Sequence, residues 1–284
     1  MRWLLCLMVF VQAAVDRGEG APTLATEFPF EYWEGLLWIE VLVAPRREPL
    51  RFLLDSGAEV SVVNLETARR LGLPLGERVK VSSVHAAMAG YWLPKLSATA
   101  SDVRLPDNYL GLDLSKLSGA CERAVDGLIG ADFFQGRIVQ IDFGAGRIRL
   151  LNISDPASPK ETTSLEILRD GLCVKASVNG GKPRRFRLDT GCATALQWVT
   201  SQAPFEIAAS KLAIGLAQLN VPQTQTTVKL AGRTFVAVPT GLHRTAIFDG
   251  EAGLLGNGLL SRFETVTVDW PRRRLSFGRL RESP

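Results

Sequence analysis

An all-β chain built as two homologous lobes is what this sequence predicts, and three observations carry the prediction. Short apolar or alternating runs of strand length, bounded by turn residues, dominate the chain, and helical pattern is confined to brief pieces. A nine-residue phrase occurs twice, as Pro49–Gly57 (PLRFLLDSG) and Pro183–Gly191 (PRRFRLDTG), with six positions identical and one hydroxyl residue exchanged for the other. Further matching blocks flank both copies in the same order, which marks a duplication of the whole unit rather than of a short motif.

Taken in order, the first half predicts strands at Leu36 to Val43, Arg51 to Leu54, Val79 to Val84, Ile138 to Ile141 and Ile148 to Leu151. A helix is expected over Leu65 to Leu71, with Glu66, Arg69 and Arg70 on its polar face and Gly72 as its stop. The stretch 152–165 holds Pro156 and Pro159 among small polar residues and reads as a linker. The second half then predicts strands at Leu172 to Val178, Phe186 to Leu188, Thr226 to Leu230, Thr234 to Val238, Thr265 to Val268 and Leu275 to Phe277. The expected organisation is 1–14 signal peptide, 15–34 N-terminal extension, 35–151 first lobe, 152–165 linker and 166–284 second lobe.

The matching blocks can be read side by side. Trp38–Val43 (WIEVLV) corresponds to Cys173–Val178 (CVKASV), and Asp126–Phe134 (DGLIGADFF) to Ala252–Leu260 (AGLLGNGLL). Each half then reaches an acid between apolar neighbours, Asp142 and Asp269, followed by Arg147–Leu150 and Arg274–Phe277. Lying between strands and ahead of a turn, those two acids read as caps. Asp126 faces Ala252 in the alignment, so it has no part in a symmetric site.

The 284 residues suffice for two lobes of about 120 residues each. With 46% hydrophobic and 22% charged residues the chain is ordinary globular material rather than disordered. The net charge of +4 comes from scattered arginines, with Arg272–Arg274 clustered in a turn and no basic stripe interleaved with aromatics, so no nucleic acid is expected as a partner. At the N-terminus Arg2, the apolar run Trp3 to Val11 and the small residues Ala13 and Ala14 read as a secretory signal, and the expectation is export to a periplasm or the outside. The run is too short to cross a membrane, which takes about 20 residues. The alternative is an uncleaved strand or short anchor that associates with a membrane. Cleavage would remove Cys6 and leave Cys121, Cys173 and Cys192, an odd number without Cys-x-x-Cys spacing, whose pairing stays open. With only His85 and His243 present, neither a metal site nor a cofactor is expected.

Asp55 and Asp189 end apolar strands, where a lone charge is costly to bury. The residues that follow, Ser56-Gly57 and Thr190-Gly191, suit a tight turn whose hydroxyl bonds backbone across an interface. If the lobes meet about a pseudo-twofold axis, the two carboxyls face each other and share one proton. The ionised member can then act as general base on a water while the protonated one polarises a carbonyl. The competing reading makes both acids structural, accepting backbone hydrogen bonds in their turns. Asp142–Gly144 spells a kinase triplet without its companion motifs, Gly253–Gly258 lacks the spacing of a dinucleotide loop, and Cys192 as a nucleophile has no histidine in a recognisable partner motif.

On Asp55-Ser56-Gly57, Asp189-Thr190-Gly191 and the glycine blocks Leu128–Gly130 and Leu254–Gly256, the sequence resembles a two-lobed aspartic peptidase of the pepsin and retropepsin superfamily over about residues 35 to 280. The loop Asp55–Val63 (DSGAEVSVV) is similar to the retropepsin form, so the chain looks like a fused, single-chain version of the kind found among bacterial proteins. The resemblance implies the bilobal aspartic-protease fold, two β-barrel-like lobes about a pseudo-twofold axis, in a monomer that is an intramolecular pseudo-dimer. It also implies that Asp55 and Asp189 are catalytic, with Ser56, Gly57, Thr190 and Gly191 supporting their loops and the glycine blocks running beneath them. Cys192 departs from the pattern and raises the question of redox sensitivity. A β-hairpin flap is implied over Val81 to Leu96, with Ala86–Gly90 as its tip and Gly90, Tyr91 and Trp92 as substrate contacts; the counterpart from Ile214 to Thr227 lacks an aromatic. The implied substrate is an extended peptide or protein. A peptide-binding module without hydrolysis, or a narrowly selective processing enzyme, is the alternative on the same fold.

Overall fold

The computed structural model describes residues 26–46, 48–83, 86–152, 161–169, 171–201, 209–214 and 217–281; of 82, 83, 86, 87, 209–214 and 217–220 it describes the backbone alone. The expected signal segment 1–14 and the start of the extension lie outside the described residues.

Each lobe starts from an antiparallel pair whose second strand ends at the repeated acid. In the first lobe Leu36–Val43 lies against Leu50–Leu54 with Trp38 opposite Leu53, and in the second Gly171–Val178 lies against Arg184–Asp189 with Cys173 opposite Arg187. The chain turns at the acid and runs on as Val62–Asn64 or Leu196–Val199. The glycine block then inserts between the two. Gly127–Ile129 runs parallel to Leu50–Leu54 and antiparallel to Val62–Asn64; Gly253–Gly256 repeats both pairings with Arg184–Asp189 and Leu196–Val199. This insertion is why the block opens on glycine. A Cβ on Gly127 would lie 2.2 Å from the Phe52 ring and 2.4 Å from the Val62 carbonyl oxygen.

The lobes are joined by strands rather than merely apposed. Ile138–Asp142 pairs antiparallel with Thr265–Asp269, placing Ile138 opposite Asp269 and Asp142 opposite Thr265. Since Asp142 and Asp269 occupy matching places in the two halves, the pairing maps onto itself when the lobes are exchanged. The axis passes through the central pair, Gln140 and Thr267, whose side chains are hydrogen-bonded at 3.2 Å. Arg147–Leu151 and Thr26–Pro29 extend this sheet on one side, Arg274–Phe277 and Glu161–Leu168 on the other. One apolar cluster, including Phe28, Phe52, Phe133, Phe186 and Phe277, runs through both lobes.

The expected helix forms over Leu65–Leu71, started by the Asn64 side chain on the Glu66 amide and stopped at Gly72 in a left-handed conformation (φ +72°). Asp142 and Asp269 close their hairpin turns by accepting the Ala145 and Arg272 amides at 2.7 and 2.9 Å. Three boundaries differ from the sequence reading. The extension contributes strands at Thr26–Pro29 and Glu31–Trp33. The stretch read as linker already contains the start of strand Glu161–Leu168, which pairs through its polar first half with Arg274–Phe277 and through its apolar second half with Gly171–Val178; Glu161 forms an ion pair with Arg233. The prolines that suggested a linker fall at 153–160, outside the described residues.

The third difference concerns the hairpin expected as a flap. Its strands are Arg78–Ser83 and Ala86–Trp92, so Ala86–Gly90 forms a strand rather than the tip, and the connection at 84–85 lies outside the described residues. The run of small residues suggested a turn, but at Gly90 smallness answers crowding: a Cβ there would lie 2.7 Å from Leu112 and 2.8 Å from Val81.

Candidate active site

The two repeated turns meet at the junction of the lobes, and four hydrogen bonds between them make the contact reciprocal. The Ser56 hydroxyl donates to the Leu188 carbonyl at 2.7 Å and accepts the Thr190 amide at 3.1 Å. The Thr190 hydroxyl donates to the Leu54 carbonyl at 2.8 Å and accepts the Ser56 amide at 2.9 Å. Both hydroxyls are fully buried, and each uses one donor and one acceptor, so neither is left with an unmet requirement. A residue without a hydroxyl at either place would strand polar backbone groups in the interface.

With the turns so fixed, the carboxyls of Asp55 and Asp189 face each other within hydrogen-bonding reach. The glycines make the approach feasible. A Cβ on Gly57 would stand 2.6 Å from the Asp189 carboxyl carbon, and one on Gly191 would stand 2.4 Å from that of Asp55. Each acid is therefore backed by the other lobe's glycine. Asp55 Oδ1 accepts the amides of Gly57 at 3.0 Å and Ala58 at 3.2 Å, while Asp189 Oδ1 accepts that of Gly191 at 2.9 Å. The glycine block lies beneath, its Ile129 carbonyl accepting the Asp55 amide at 2.8 Å.

Electrostatics divides the pair. Burial raises both carboxyls above the ordinary range, but Asp55 is partly restored by the Ala58 and Gly57 amides, which favour its ionised form. Asp189 is raised well above its ordinary value, first by burial and then by the charge of Asp55. Two acids this close titrate as a coupled pair rather than independently, and the upward push is the stronger on Asp189. Among the described residues no group of three or more His, Cys, Asp or Glu side chains stands together as a metal site.

Of the remaining candidates, Gly90, Tyr91 and Trp92 lie at the root of the hairpin. Tyr91 pairs with Arg78 and Gly111, and Trp92 with Leu110. Cys121, Cys173 and Cys192 are all free and buried. Burial and the Asp189 charge push the Cys192 thiol up to about 12, so it stays protonated and is a poor nucleophile. His243 is held on Gln197 at 2.7 Å.

Two contributions were not visible in the sequence reading. Asn257, at the position of Ala131 in the other lobe, donates from one amide nitrogen to the carbonyls of Gly35 and Thr190, both at 2.7 Å, and so ties the first lobe's Glu34-Gly35 turn to the Asp189 loop. Arg187 lies fully buried two residues before Asp189 and donates to the Gly57 carbonyl at 3.1 Å. Its signal was present: against Leu53 of the first copy it sets a charge between Phe186 and Leu188.

Comparison with known proteins bears on the family and the fold. Residues 43–133, which take in the Asp55 turn and the first glycine block, match the family model described as aspartyl protease. Among curated proteins none matches the sequence. Among solved structures, the fold is similar to that of the aspartic proteinase from Irpex lacteus, with 11% sequence identity, 90% of this chain and 97% of that chain covered, and a TM-score of 0.58. The family match and the fold together support an aspartic peptidase of the pepsin or retropepsin type.

Proposed function

We propose, starting from an aspartic-proteinase fold whose first lobe matches the aspartyl protease family, that the chain is an endopeptidase that hydrolyses peptide bonds with a water activated by Asp55 and Asp189. The observation that carries this reading is the paired carboxyls, each packed on the opposite lobe's glycine and held by reciprocal hydroxyl bonds. Asp55, supplied with two amide donors, is the general base that takes a proton from the water. Asp189, the protonated partner, donates to the scissile carbonyl oxygen as the tetrahedral intermediate forms. The proton taken up by Asp55 passes to the leaving amine as the carbon–nitrogen bond breaks, and the shared proton returns to the pair. Two purely structural acids would have no need to face each other, since their mutual repulsion costs stability at neutral pH.

The hairpin Arg78–Ser83 and Ala86–Trp92 is the element proposed to cover a bound peptide, and Gly90, Tyr91 and Trp92 then act from its root. The chain is proposed to work as a monomer, both acids being its own. The test is direct. Asp55→Asn and Asp189→Asn should each lower cleavage of denatured casein by on the order of a thousandfold or more while leaving the circular dichroism spectrum unchanged. Retained cleavage in either variant would sink the pairing. Tight binding of a statine-type inhibitor without any cleavage would favour the peptide-binding alternative.

A further inference from the structure

The second lobe buries an ion pair where the first lobe buries hydrocarbon. Leu53 belongs to an apolar layer with Leu36, Trp38, Val62, Leu110 and Leu128. Its counterpart Arg187 is likewise almost wholly buried, but its guanidinium meets Glu251 through Nε at 2.9 Å and Nη2 at 2.7 Å. Both side chains are within a few per cent of complete burial. The guanidinium stacks on the Phe248 ring with 3.7 Å to the centroid, and its strand neighbour Leu254 lies in a small cluster with Val221 and Ile247. Gly171 keeps space for it, because a Cβ there would lie 2.6 Å from Arg187 Cζ.

Stability alone gives no reason for the substitution. A buried ion pair is often no better than apolar side chains of similar volume, because desolvation consumes the attraction. What the pair adds is a directed group. Glu251 engages Nε and Nη2, which leaves Nη1 aimed across the interface at the Gly57 carbonyl, 3.1 Å away, in the loop whose amides hold Asp55. The charged and titratable neighbours of Arg187 are Glu251, the half-exposed Glu59 at 3.7 Å, the Cys173 thiol on the adjacent strand, and the two carboxyls themselves. We propose that Arg187, gripped by Glu251, is a positioning residue that fixes the Asp55 loop from the opposite lobe and places a positive charge beside the paired carboxyls. The catalytic consequence rests on the endopeptidase reading; the electrostatic one does not. The positive charge favours the singly ionised pair over the neutral one, and both carboxyls feel it in that sense.

Two variants test this. Arg187→Met combined with Glu251→Leu removes both charges without stranding either, and Arg187→Lys keeps the charge but loses the planar fork. The readouts are the titration of the carboxyl carbons of Asp55 and Asp189 by carbon-13 NMR and the kinetics of denatured casein cleavage. In the double variant the first ionisation of the pair should move up by about one pH unit. The acid limb of the activity profile should follow it, and kcat should fall about tenfold or more with KM little changed. Arg187→Lys should restore the ionisation but leave kcat below wild type, because one ammonium cannot serve both Glu251 and the Gly57 carbonyl. A folded double variant that titrates and cleaves like wild type overturns the proposal. If the double variant does not fold, wild-type kcat in Arg187→Lys overturns the positioning role and a lowered kcat supports it. Should wild-type protein and Asp55→Asn cleave casein equally or not at all, the endopeptidase reading fails, and the titration still decides the role of the charge.

Discussion

At the residue scale the site rests on contacts between unlike parts of two like loops. Asp55 and Asp189 were legible from the sequence because they recur with their hydroxyl and glycine neighbours. Arg187 was not, because a repeat directs attention to what matches, and its meaning lies in a mismatch. The raised Asp189 carboxyl has a consequence for stability with a definite sign. Its folded form holds the proton more tightly than the unfolded chain does, so folding gains from this group below the ordinary carboxyl range and loses that gain as pH rises through the folded-state value. Asp189→Asn, which cannot ionise, should therefore be more thermostable relative to wild type at pH 7 than at pH 4. A difference in melting temperature that is constant across this range would contradict the assignment of Asp189 as the proton holder.

At the scale of elements, glycine marks where strands and turns are forced close, and the cost of replacing it follows from what stands beside it. Gly72 ends the helix in a left-handed conformation with open space around it, so Gly72→Ala should cost about 1 kcal/mol in chemical denaturation. Gly253 is different in kind. It enters the block beneath the Asp189 loop with φ +144°, and a Cβ would fall 1.8 Å from the Gln197 carbonyl oxygen. Gly253→Ala should cost more than about 4 kcal/mol or abolish folding, and a loss near that of Gly72→Ala would show that the strand can shift aside. Local pattern located most strands to within a few residues. It failed where composition served something other than local conformation: at Gly90, which leaves room for Leu112 and Val81, and at Glu161–Leu168, where a strand paired on both sides opens with polar residues.

For the whole molecule, the duplication was readable as repeated blocks, but not the way its halves are joined. That depends on which edges pair, and edges have no sequence signature apart from the strands that form them. Because the lobes share a sheet, a core and the hydroxyl bonds of the Asp55 and Asp189 turns, heat should unfold them in one transition, coincident by tryptophan fluorescence and far-ultraviolet circular dichroism. Two separated transitions would mean that the joining sheet is weaker than either lobe. The self-mapping pair of Ile138–Asp142 and Thr265–Asp269 also matters during synthesis. The first partner leaves the ribosome about 127 residues before the second, an interval of roughly 6–25 s at ordinary elongation rates. Through that interval one nascent chain presents a bare strand edge whose complement is nearly its own likeness, and the same edge hangs from every neighbouring chain on the same message. Crowded translation is thus where this architecture is most exposed to swapping halves between molecules.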